Sequence, residues 1–125
     1  MTKDTAIHAA LIEKVAEAMR EMSSVPPANA RALLLAAATF LAKDSPLIKA
    51  SPAELARSAN LSDAEFDEAI EALKFINAVM DEDPIGSDDT DDSLEELFLH
   101  PDLAWRGDPS LRLRYSNHCL NLMLL

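Results

Sequence analysis

The chain has 125 residues, 49% of them apolar and 26% charged, a balance that can bury a core and excludes a disordered polymer. That length suits one domain with room for a helical extension, and few aromatics beside abundant Ala and Leu favour helices over a β-sandwich. The net charge of −11 is local: residues 1–60 sum to +1, residues 61–102 hold fifteen acids with Lys74 as sole base, and residues 103–125 sum to +2.

No apolar run reaches membrane-spanning length, and the opening MTKDTAIHAALIEK has neither an apolar signal core nor a small-residue cleavage site. The single Cys119 excludes an internal disulfide and suits a reducing compartment. The expectation is a soluble, cytoplasmic protein.

In chain order, residues 4–22 place Ile7, Leu11, Val15, Ala18 and Met22 on one stripe at spacings of three and four. This predicts an amphipathic helix capped by Asp4 or Thr5 and stopped by the prolines of SSVPP. ANARALLLAAATFLAKD follows, apolar around most of its circumference, as a central buried helix would be. SPLIKAS reads as short and extended.

SPAELARSA then opens a helix with Ser51 as N-cap, Pro52 at the first helical position and Glu54 at the third. Asn60 is suited to a left-handed turn, and Leu61 to plugging the corner behind it. Ser62 with Glu65 repeats the capping box, and Phe66, Ala69, Ile70 and Leu73 give the next helix one apolar face. Two short helices joined by a tight turn behind a buried helix make a helix-turn-helix. FINAVMDED reads as a strand, PIGSDDTDDSLE as a hairpin loop and ELFLH as the returning strand. Asp108-Pro109 caps a final helix that ends in an apolar tail, CLNLMLL.

The fold expected is therefore mainly α: a winged helix-turn-helix with extra N- and C-terminal helices. Its parts are an amphipathic helix (1–24), the winged-helix domain (28–107) and a C-terminal helix (108–125) with a possible role in dimerisation.

The segment ELFLHPDLAWRGDPSLRLR resembles one found in winged-helix replication proteins of plasmids, the RepL type, and their relatives in phages and mobile elements. That segment runs from an apolar strand through Asn-Pro to an aromatic, a basic residue and Gly, then a helix containing Arg. Leu97, Phe98 and Leu99 match the strand, Trp105-Arg106-Gly107 the aromatic-basic-Gly element, and Arg112 the helix. His100-Pro101 stands where Asn-Pro is usual. The likeness covers roughly residues 28–115 and implies a DNA-binding replication or copy-control protein. It also implies that the helix beginning near Ser62 enters the major groove while the wing touches backbone.

The charges on that helix run against this implication. Its exposed positions are Asp63, Glu65, Asp67, Glu68 and Glu71, and the wing carries Asp88, Asp89, Asp91 and Asp92. DNA affinity rests largely on neutralising phosphates with Lys and Arg. Like charges a few ångströms apart in water repel by about 1 kcal/mol per pair. Bases elsewhere offer the alternative contact route: Arg31, Lys43, Lys49 and Arg57, with Arg106, Arg112 and Arg114 nearer the end. Their plainer role is as solvated surface and as partners for the protein's own acids.

Other chemistries find little purchase. Gly86 precedes the acids of SDDTDD instead of following them, unlike a calcium-binding EF-hand loop. His118 and Cys119 are adjacent on a helix and diverge by about 100°. His8 and His100 are isolated, no zinc spacing occurs, and Gly86 and Gly107 make no phosphate-cradling loop. No metal, cofactor or enzymatic activity is expected.

The stripe Ile7, Leu11, Val15 and Met22 and the tail residues Leu120, Leu122 and Met123 need cover. They either pack on their own domain or pair across a two-fold axis in a homodimer. Two functions stay open. One is replication or transcription control for a plasmid, phage or mobile element through DNA binding. The other is an acidic interaction module that docks on a basic, nucleic-acid-binding protein, as a DNA mimic or inhibitor.

Overall fold

Residues 27–39, PANARALLLAAAT, have apolar side chains on nearly every side, and the fold is arranged to bury them. In the computed structural model, which describes residues 5–81, 97–119 and 122, five helices hold 57% of the described residues beside a small antiparallel sheet. The order is β1 (Thr5–Ile7), α1 (Ala9–Met22), α2 (Pro27–Thr39), β2 (Leu47–Ile48), α3 (Pro52–Ala59) and α4 (Asp63–Phe75). After these come β3 (Val79–Met80), β4 (Leu97–Leu99), β5 (Ala104–Arg106) and α5 (Pro109–His118).

The helix α2 is the hub. Ala30, Leu33, Leu34, Ala36, Ala37 and Ala38 are buried against α1, α3 and α4, and the alanines allow close approach on several sides at once. From α1 come Ile12, Val15, Ala16 and Met19; from α3, Leu55, Ala56 and Ala59; from α4, Phe66, Ala69, Ile70 and Leu73. Three strands close the core in the order β2-β4-β3, antiparallel throughout, with Leu47 opposite Phe98 and Val79 opposite Leu99.

Local signals set the helix ends. Both capping boxes are formed: Ser51 with Glu54 and Ser62 with Glu65 each exchange side-chain and backbone bonds. Asn60 closes α3 in the left-handed conformation, at φ 60°, and Leu61 N–H donates back to the Ala56 carbonyl. The same device ends α4. Asn77 sits at φ 68°, and Ala78 N–H reaches the Leu73 carbonyl at 2.9 Å. Phe75 and Ile76 therefore belong to the helix and its cap instead of the expected strand, which shrinks to Val79–Met80.

The N-terminus also departs from the sequence pattern. Residues 5–7 form a strand, and His8 is the N-cap, its Nδ1 accepting from Leu11 N–H at 3.0 Å. β1 pairs with β5, Thr5 opposite Arg106 and Ile7 opposite Ala104, so the first residues are stitched to the segment after the sheet. Ile7 thus leaves the helical stripe, and the buried face of α1 is Ile12, Val15, Ala16 and Met19. Val15 is wholly buried within this chain and so is not a surface for a second copy, while Ile7 and Leu11 are partly buried against the same core. Leu122 also packs on the core; Leu120, Met123 and the side chain of Met22 lie outside the described residues.

Each distinctive residue of the segment 97–107 has a folding role. His100 is 2% exposed and its Nδ1 accepts from Asp102 N–H at 3.1 Å. Asparagine Oδ1 occupies the same place relative to Cβ, so His100 reproduces the turn an Asn-Pro would make. Trp105 is buried, donates from Nε1 to the Asp108 carbonyl, and meets the Tyr115 ring at 5.7 Å. Gly107 sits at φ 111°, and a β-carbon there would collide with Asp44 Oδ1, which accepts Asp108 N–H. The helix α5 follows, capped by Asp108 and held to Asp102 through Arg112 (3.2 Å) and Ser116 (2.8 Å). No described helix is long and apolar enough to cross a membrane.

Two consequences are measurable by chemical denaturation. Gly107→Ala is expected to lose about 2 kcal/mol, because strained φ and the clash with Asp44 act together. His100→Ala, which removes the acceptor and leaves a cavity, is expected to cost about 2 kcal/mol, and His100→Asn clearly less because it restores the turn.

Candidate functional site

The side of α4 opposite α2 carries the densest charge among the described residues. Burial of Phe66, Ala69, Ile70 and Leu73 fixes the rotation of this helix, and Asp63, Glu65, Asp67, Glu68 and Glu71 are consequently all exposed. Lys74 is the one base of the helix, and its Nζ turns to Asp81 Oδ2 at 3.7 Å. The acidic face therefore keeps its charge uncompensated by its own helix.

The five acids are not equivalent. Glu65 closes the capping box through Oε1 to Ser62 N–H at 2.9 Å, while its Oε2 accepts from Asn29 Nδ2 of α2 at 3.4 Å. The Ser62 bonds, backbone first, hold its carboxyl below the usual carboxylate range. Asp63 and Glu65 lie in the first turn, where negative charge suits the helix dipole. Asp67, Glu68 and Glu71 take part in no cap or ion pair among the described residues. Asp88, Asp89, Asp91 and Asp92 lie outside the described residues.

The bases divide into spent and unspent. Arg31 grips Glu13 of α1 with two bonds, 2.6 and 2.8 Å, which lowers the Glu13 carboxyl and raises the Arg31 guanidinium. Arg106 donates to the Leu41 carbonyl at 3.4 Å, and Arg112 is held by Asp102. Lys43, Lys49, Arg57 and Arg114 are exposed and unpaired among the described residues. They come from four separate segments: the turn after α2, the residue after β2, α3 and α5.

Three exposed large apolar side chains were not marked by the sequence pattern: Leu35 of α2 at 40%, Leu113 of α5 at 55% and Phe75 at 69%. Phe75 escaped notice because it reads as the first residue of a strand, where alternation would bury it. Among the described residues no three His, Cys, Asp or Glu side chains converge to hold a metal ion. The chain matches no protein-family model, no curated protein and no solved structure.

The Glu65 bond has a pH signature. Its folded-state pKa is depressed, so its contribution is complete above the unfolded value and fades as pH falls through the folded one. Wild type should therefore be more stable than Glu65→Gln at neutral pH, and the gap should close in acid. Urea midpoints measured across that range check it.

Proposed function

We propose that this chain is a winged helix-turn-helix domain whose fourth helix docks on a basic protein surface instead of reading duplex DNA. The winged-helix part of the reading is supported by the connectivity. A buried helix, a short strand, two helices joined by a tight turn and two more strands follow in sequence, with sheet order β2-β4-β3. In that architecture α4 is the helix that would approach a groove.

One observation carries the docking reading. Every acid of α4 is exposed, and its one lysine is engaged with Asp81. A duplex offered to this face meets carboxylates in place of the cations that release its counterions. A basic protein surface meets a rigid row of anions, which is the arrangement a phosphate backbone presents to it. The segment that resembles plasmid replication proteins weighs less for DNA binding than for fold, because His100, Trp105 and Gly107 are each engaged in folding contacts. A second reading, DNA contact through another face, rests on the unpaired Lys43, Lys49 and Arg57.

A mobility-shift assay with random duplex at low salt separates the two. Wild type should give no shift at high micromolar protein. The triple variant Asp67→Lys, Glu68→Lys, Glu71→Lys, which spares the Glu65 cap, should shift the same duplex. Its log K against log salt slope should be about −3, one phosphate contact per new lysine. A wild-type shift would overturn the docking reading, and a variant that stays unbound would count against α4 as the groove-facing helix.

A further inference from the structure

Phe75 is the most exposed large apolar side chain among the described residues, at 69%, in a chain with only four phenylalanines. Isolated exposed apolar residues are ordinary, and Leu35 and Leu113 need no special account. Phe75 differs in what it is aligned with. It follows Glu71 by four residues and Glu68 by seven, so the phenyl ring and both carboxylates share one stripe on the solvent side of α4. Two helical turns separate Glu68 from Phe75, about 10 Å along the axis.

Nothing in the folding of α4 requires an aromatic there. The core-facing positions are filled by Phe66, Ala69, Ile70 and Leu73, and the C-terminus is closed by the Asn77 turn without help from the ring. Interfaces draw most of their energy from a few aromatic anchors set within a polar rim. Carboxylates one and two turns from an exposed phenyl are such a rim with a fixed sign of charge.

We infer that Phe75 is the apolar anchor of the acidic face, and that the partner it fits is a basic amphipathic helix. This rests on the docking reading and adds the partner's shape. A helix laid along α4 has the same pitch, so it can set one leucine-sized side chain on the ring and Lys or Arg one and two turns away, opposite Glu71 and Glu68. A flat basic surface or an extended polycation would satisfy the carboxylates and leave the ring in water.

The test uses the full chain and two synthetic helical peptides of about 18 residues, five turns long. One carries Lys at helical spacing with leucines on the same face; the other keeps every Lys and replaces those leucines with Gln. Binding is followed by calorimetry in about 20 mM salt, where surface charges are weakly screened. Wild type should prefer the leucine peptide by about tenfold. Phe75→Ala should erase that preference and leave the affinity for the Gln peptide unchanged, while Leu113→Ala changes neither. Glu68→Lys with Glu71→Lys should weaken both peptides. Equal binding of the two peptides by wild type, or a preference that survives Phe75→Ala, overturns the anchor and leaves the acidic face standing. Failure of wild type to bind either peptide removes the docking reading itself, and the anchor with it. Circular dichroism confirms that each variant is folded, as expected for substitutions at exposed positions.

Discussion

A helix that is apolar on nearly every side has to be surrounded, and the burial of α2 imposes most of what else is seen in this molecule. Its alanines let α1, α3 and α4 approach closely, and its leucines fill the spaces between them. Each neighbour must turn its apolar face inward to do this. For α4 that face is Phe66, Ala69, Ile70 and Leu73, and the remaining positions have one place to go. The acidic surface is thus set by the packing of a helix that carries no charge beyond Arg31, and Arg31 is occupied with Glu13.

This link between core and surface has a functional side. Rotating α4 to hide its carboxylates would drag four apolar side chains into water and leave α2 half uncovered. The face is therefore stiff, held at its start by the Ser62–Glu65 box and the Asn29 contact and at its end by the Asn77 turn. A stiff row of like charges loses little entropy on meeting a complementary surface, which favours recognition of a partner by charge pattern.

Much of the architecture was legible because it is written in short-range chemistry. Ser-x-x-Glu at residues 51 and 62, Pro52, Asn60 and Asp108-Pro109 each act within one helical turn, and each forms the contact its pattern predicts. The features that escaped are non-local. The strand Thr5–Ile7 is three residues long and is defined by pairing with Arg106–Ala104, so its helical periodicity was accidental. The pattern left the stripe of Ile7, Leu11, Val15 and Met22 to pack on its own domain or on a second copy, and for Val15 the register of α1 settles it into the core. The engagement of Arg31, Arg106 and Arg112 also depends on contacts across the chain, which no local pattern encodes. For the acidic face the position was readable, since amphipathicity alone puts Asp67, Glu68 and Glu71 outward, whereas the structural duty of Glu65 toward Asn29 needed the packing of two helices.

On the reading proposed above, the exposed carboxylates of α4 keep a duplex away from that helix. Amide chemical-shift mapping of the isotope-labelled chain, titrated with random duplex at low ionic strength, addresses it residue by residue. Residues 62–75 are expected to stay unperturbed, and no saturable response is expected around Lys43, Lys49 and Arg57. Saturable shifts centred on Asp67, Glu68 and Glu71 would contradict that reading.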